Sequence, residues 1–116
     1  MNRISTLCFL SDSEHDQVIM KSLFNIIGAR EQYEWQLDNA PHDVDVLLID
    51  ADDISNPPAQ LKSTYHAKIV VAYTSHPLHP SGFDAYLKKP TRARSLLNLL
   101  RFLKGELSKH TFNPAM

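Results

Sequence analysis

Asp45–Asp50 reads DVLLID, four consecutive apolar residues set between two aspartates. A strand with one wet face alternates apolar and polar residues, whereas an unbroken run suits a strand covered on both faces, as in the middle of a parallel sheet. Lys68–Tyr73 (KIVVAY) repeats that pattern, and Ile4–Leu10 (ISTLCFL) is a third apolar run rich in β-formers. Two weaker segments complete the set. Tyr33–Leu37 (YEWQL) alternates like a short edge strand, and Ala85–Leu87 is a short last strand.

Helical patterns separate these runs. In Glu14–Ile27, Ile19, Leu23, Ile26 and Ile27 fall on one helical face. Ser13 with Asp16 resembles a capping box, and Gly28 is placed to end the helix. Asn56–Pro57–Pro58 breaks the chain before a weak helical segment at Ala59–Tyr65. Arg92–Leu107 is the clearest helix, with Leu96, Leu99, Leu100, Leu103 and Leu107 facing inward. Asp38–Val44 is too short for a full helix, and Pro77, Pro80 and Gly82 argue against a long one in Ser75–Gly82. Strands alternating with helices predict an α/β fold: a doubly wound, five-stranded parallel sheet with shortened second and fourth helices. The expected domain is 1–109, with 110–116 a tail or linker.

Composition narrows the functions. The chain has 116 residues, 43% of them hydrophobic, enough for one core but not two domains. Twelve basic residues against 13 acidic ones leave no electrostatic footprint for nucleic acid or an anionic membrane. The apolar runs are too short to span a bilayer, and the start lacks the pattern of a secretory signal. The lone Cys8 forms no internal disulfide and is expected to be a small buried hydrophobe. A cytoplasmic location is expected.

Four polar residues stand at the carboxyl ends of the apolar runs: Asp12, Asp50, Thr74 and Lys89. In open α/β sheets ligands bind outside that edge, so these side chains are expected to converge although they are distant in sequence. Two carboxylates, a hydroxyl and an ammonium suit a phosphoryl-accepting carboxylate with its metal and its cation.

The stretch Phe9–Phe24 (FLSDSEHDQVIMKSLF), the LLID ending in Asp50, the VVAYTS around Thr74 and the YLKKP ending in Pro90 together resemble the receiver domain of two-component response regulators and hybrid histidine kinases. The resemblance spans nearly the whole chain in motif order. It implies a flavodoxin-like fold and a regulatory domain rather than an enzyme, one that takes a phosphoryl group from a histidine kinase or histidine phosphotransfer partner. It implies Asp50 as phosphoacceptor, Thr74 and Lys89 as the groups that meet the phosphoryl oxygens, and a cis peptide before Pro90. It also implies weakly held Mg²⁺ on Asp12, Asp50 and the backbone carbonyl of Asp52.

The departures are specific. Ser11 stands where the family usually carries its first acid, so a charge is missing from the expected metal site, although Asp52 or Asp53 could compensate electrostatically. The segment after Asp50, ADDISNPP, lacks the family's usual methionine–proline pair. The short fourth helix would alter the usual output face. A phosphoacceptor receiver and a pseudo-receiver acting as a protein-interaction or dimerisation module both fit. A small nucleotide-binding protein fits poorly, since no glycine-rich loop follows any strand.

Other residues have plain expected roles. Asp52 and Asp53 are expected to be solvated loop charges, Lys88 exposed, Trp35 the filling of a sheet edge, and His76 and His79 loop histidines without a metal. Leu97 and Phe102 flank the inward stripe of the last helix. Either they form its core margin or, rimmed by Arg94 and Arg101, they serve a homodimer or partner surface.

Overall fold

The structure, a computed structural model, describes residues 4–30, 35–37, 43–77 and 80–111. In chain order its elements are β1 (Ser5–Leu10), α1 (Glu14–Arg30), β2 (Trp35–Leu37), β3 (Val46–Asp50), α2 (Pro58–Thr64), β4 (Ile69–Thr74), β5 (Ala85–Lys88) and α3 (Ala93–Thr111). The five strands form one all-parallel sheet in the order β2-β1-β3-β4-β5. The three continuous apolar runs occupy its centre. Every residue of β3 and β4 is buried.

Successive side chains of each strand point to opposite faces, so the core falls into two halves. Leu7, Phe9, Val46, Leu48, Val71 and Tyr73 pack under α1 and α3, where they meet Phe24, Leu96 and Leu103. On the other face Cys8, Leu47, Ile49 and Val70 pack with Val44 and Ala67, joined by half-buried Leu61 and Tyr65 from α2 and its end. The first face is roofed by helices of 17 and 19 residues, and the second, among the described residues, by one of seven. Residues 43–45, 75–77 and 80–84 carry no helix; the rest of the two connections expected to be short, 38–42 and 78–79, lies outside the described residues.

Helix α1 departs from expectation in two ways. It runs through Gly28 to Arg30. A glycine inside a helix costs about 1 kcal/mol relative to alanine, a cost that packing readily offsets. Its buried stripe is Met20, Phe24 and Ile27, whereas Ile26 is 43% exposed. An aliphatic pattern alone points to Ile26, but Met20 and Phe24, spaced four apart, form the inward stripe with Ile27. The start is as expected: the Asp16 N–H donates to Ser13 Oγ at 3.1 Å. The last helix also runs on, to Thr111, with Leu96, Leu100, Leu103 and Leu107 buried and Leu99 at the core's edge. Trp35 is buried at the sheet edge beneath the Lys104 ammonium, 5.4 Å from its ring centre, and Cys8 is buried. Lys88 is exposed.

Gly82 joins the connection before β5 to α2. Its φ of 93° lies in the left-handed region, and an added Cβ would stand 2.7 Å from Pro58 Cγ. Only glycine meets both demands without strain.

Candidate functional site

All strands run the same way, so the carboxyl ends of β1, β3, β4 and β5 share one edge of the sheet. Ser11 and Asp12 follow β1, Asp50 and Thr74 close β3 and β4, and Lys89 follows β5. The Lys89–Pro90 peptide is cis, as expected.

Asp50 is completely buried. Its Oδ1 accepts from Lys89 Nζ at 2.5 Å and from the Asp52 N–H at 3.3 Å, and its Oδ2 accepts from Ser11 Oγ at 2.7 Å. A buried carboxylate without such partners would be costly, and breaking one of these contacts would leave a charge uncompensated. Lys89 also lies 3.7 Å from Asp16 Oδ2 and 3.4 Å from Asp52 Oδ2, and 5.2 Å from the centre of the Tyr73 ring. Burial alone would lower the ammonium's pKa, but the bond and charge of Asp50 and the charge of Asp52 outweigh it and raise the value. The cation is therefore fixed. Burial raises the Tyr73 phenol, whose oxygen accepts from the Thr91 N–H at 3.4 Å.

Ser11, at the place of the absent acid, is a working part of this array. It donates to Asp50 while its own Oγ accepts from the Ser13 N–H at 3.1 Å. Gln17 Nε2 braces the turn by donating to the carbonyls of Phe9 and Ser11, each at 3.2 Å.

The Thr74 hydroxyl does not reach Asp50. It donates to Asp52 Oδ1 at 2.6 Å and accepts from the His76 N–H at 3.1 Å. Asp52 Oδ2 takes the Ser75 N–H at 3.1 Å and the Ser75 hydroxyl at 2.8 Å. The expectation of a solvated loop charge at Asp52 is corrected for its side chain: the residue as a whole is exposed, but the carboxylate is 19% exposed and tied into the site. Burial pushes its pKa up, yet the bonds from Thr74 and Ser75 and the nearby Lys89 charge prevail and hold it well below the usual carboxylate range. Asp53 is the opposite case. It is exposed, and the charge of Asp50 raises its pKa.

Asp16, which the sequence places only at the helix cap, also belongs to the site, and the Asp52 side chain, for which the sequence suggests at most electrostatic compensation, is directly bonded in it. The helix period was the available signal: Ser13 fixes the start of α1, and its first turn stands at the sheet edge beside Lys89. For Asp52 the signal was its place two residues beyond a strand-end aspartate, where a tight turn brings it back over the edge. The exposed His76 lies 3.7 Å from Asp52, and His79 falls outside the described residues.

Asp12 is exposed at the rim, where its charge raises the pKa of Asp53. Among the described residues no three carboxylate, imidazole or thiolate groups are arranged so that they alone could hold a metal ion. The oxygen donors at this edge include the carboxylates of Asp12 and Asp50, the Ser11 hydroxyl and nearby backbone carbonyls, while the carboxylates of Asp52 and Asp16 are turned to Lys89. That hard-oxygen set with one or two carboxylates is of the kind Mg²⁺ accepts, since the ion keeps several of its waters.

By sequence alone the chain matches no protein family and no curated protein. By shape it matches solved receiver domains. A response regulator receiver modulated diguanylate cyclase from Pelobacter carbinolicus aligns with a TM-score of 0.66 at 17% identity, over 93% of this chain and 98% of that one. The receiver domain of the sensor histidine kinase PA1611 from Pseudomonas aeruginosa, solved with a magnesium ion coordinated in its active site cleft, aligns with a TM-score of 0.65 at 13% identity, over 88% of this chain and 98% of that one. The response regulator RPA3017 of red light signaling in R. palustris gives 0.60 at 16%, over 86% and 91%. The chain therefore has the fold of response-regulator receiver domains. No helix among the described residues is long and apolar enough to cross a membrane.

Proposed function

We propose that this chain is a receiver in two-component signalling and that Asp50 accepts a phosphoryl group from a histidine kinase or histidine phosphotransfer partner. One observation carries the proposal: a completely buried carboxylate at the carboxyl edge of a receiver-type sheet, with the Lys89 ammonium on one oxygen and a hydroxyl on the other. In this reading Asp50 is the nucleophile. Lys89 keeps its charge beside the incoming group, and Thr74 is a hydroxyl at the same edge. Asp12, Asp50 and the backbone carbonyl of Asp52 would hold Mg²⁺, which when bound supplies charge neutralisation on the transferring group. The domain acts on partners rather than on a metabolite, and we place it in the cytoplasm.

A second reading, the pseudo-receiver, draws on Ser11 and Thr74. Ser11 already fills one face of Asp50, and Thr74 is committed to Asp52. The two separate by incubation with acetyl phosphate and Mg²⁺ followed by intact mass. A phosphoryl adduct that disappears in Asp50→Asn supports the phosphoacceptor. No adduct leaves only the interaction module.

The metal assignment has its own test. Ser11→Asp places a second carboxylate against Asp50, so it should destabilise the metal-free protein and tighten Mg²⁺ by at least about 1 kcal/mol, the attraction of two unit charges about 4 Å apart at the full dielectric of water. Calorimetric titration of both proteins measures it, and equal affinities would remove Ser11 from the metal's surroundings.

A further inference from the structure

Asp52 lies two residues beyond Asp50 and draws on donors from three sides. Thr74 Oγ is at 2.6 Å, the Ser75 N–H and hydroxyl at 3.1 and 2.8 Å, and Lys89 Nζ at 3.4 Å. The imidazole of His76 stands at 3.7 Å. Together they make an anion site built by the segment after β4 and by Lys89. A side chain of the protein itself fills it. Thr74 is 3% exposed, so its hydroxyl has few other partners to turn to.

A phosphoryl group on Asp50 would bring about two negative charges and three acceptor oxygens to the same edge. Ser11 already faces Asp50, but the shared cation Lys89 and the second hydroxyl of this edge, Thr74, are groups that Asp52 now engages. A second anion beside them raises the cost of placing the first. Charge-assisted bonds of this kind are roughly twice as strong as neutral ones, so they are not given up freely.

Resting on the phosphoacceptor reading, we propose that Asp52 is an internal competitor of the phosphoryl group: its carboxylate occupies Thr74 and Ser75 and shares Lys89 in the unmodified chain, and must release them when Asp50 is modified. In the transfer from acetyl phosphate, an Asp50 oxygen forms the new bond to phosphorus and the bond from phosphorus to the acetate oxygen breaks. Acetate leaves with that electron pair, and Asp52 stays a carboxylate throughout. Two effects follow. Acceptance is slowed, and the segment Ser75–Pro77, tied to Asp52 before transfer, is let go afterwards. Asp52 is thus a positioning residue that converts modification of Asp50 into movement of the segment after β4.

The test uses the full chain as wild type, Asp52→Ala and Asp52→Asn, with a second set of the same three proteins that also carries Asp50→Asn as the control that cannot be labelled. Intact mass is followed over time in acetyl phosphate and Mg²⁺, and the Ser75 and His76 amides are followed by NMR without any phosphoryl donor. Asp52→Ala should be modified about tenfold faster than wild type, the factor that roughly 1.4 kcal/mol makes in a rate. Asp52→Asn keeps one acceptor for Thr74 but no charge, and should fall between. In Asp52→Ala the Ser75 amide should shift and exchange faster before any modification. Equal rates for wild type and Asp52→Ala, with Asp50 labelled in both, overturn the competitor while the phosphoacceptor stands. An unmoved Ser75 amide overturns it too. Absence of label from every variant removes the phosphoacceptor reading, and the competitor with it.

Discussion

The two faces of the sheet are built on different principles. Under α1 and α3, long helices bury a contiguous apolar layer against alternate residues of the strands. The other face carries, among the described residues, one seven-residue helix with no fully buried side chain. There, polar links assist the packing. The Asp84 carboxylate accepts from the Val70 N–H at 2.9 Å, and Asp52 holds the segment after β4. By strand alternation Thr74 belongs to this second face and Tyr73 to the first, so the candidate site straddles the boundary. The larger apolar layer lies on one face. The groups able to rearrange lie over the other.

This contrast is open to attack from its strongest side first. Leu103 is fully buried between α3 and the sheet, so Leu103→Ala should cost about 2–5 kcal/mol in urea unfolding. On the thin face, half-buried Leu61 of α2 should cost only about 1 kcal/mol on truncation to alanine, in proportion to the smaller area it covers. Equal losses at the two positions would erase the distinction.

Acid unfolding sharpens it. The folded pKa of Asp52 is depressed, so its contribution is present above the unfolded aspartate value of about 3.9 and is lost as pH falls through the lower folded value. Wild type should lose up to about 1 kcal/mol more than Asp52→Asn on acidification below pH 4, a figure kept small because solvent screens the site. Parallel acid profiles would show that the Asp52 links hold nothing. The smallest effect belongs to the last helix. Leu97 packs at the core margin, whereas Phe102 is 55% exposed. Phe102→Ala should leave stability within about 0.5 kcal/mol. If it nevertheless lowers self-association in sedimentation, Phe102 alone, rather than the pair, marks a partner surface.

Much of this was legible in the chain. The runs VLLI and IVVAY read as central strands, because a short unbroken apolar run rich in β-branched residues and bounded by polar ones suits a strand covered on both faces. The leucine spacing of α3 fixed its inner face in advance. Asp50 and Lys89 came together because parallel strands deliver their carboxyl ends to one edge, a property of topology that strand order already contains. Where Thr74 points was not legible. A hydroxyl at a strand end has several acceptors within reach, and its choice of Asp52 over Asp50 depends on how tightly the turn at 51–53 folds back. The extension of α1 past Gly28 was equally hidden, since glycine marks a helix end only when no tertiary contact carries the helix further.

At the opposite edge of the sheet, Asp45 is buried and bonded on several sides. Its carboxylate accepts from the Thr6 N–H at 3.0 Å and lies 3.3 Å from the Lys68 ammonium; its N–H donates to Thr6 Oγ1 at 3.1 Å. Its carbonyl accepts from the N–H groups of Lys68 and Ile69 at 3.2 and 3.1 Å. Thr6, Asp45 and Lys68 form the row just before Leu7, Val46 and Ile69, which pair directly. They serve as a surveyor's datum from which three strands are measured. Counting the same number of residues from it reaches Ser11, Asp50 and Tyr73, so the far edge comes out level. One residue inserted between Asp45 and Asp50 would carry the carboxylate about 3.3 Å past its partners and turn it to the other face of the sheet. The chemistry at one edge is thus calibrated by a clamp at the other that never touches it.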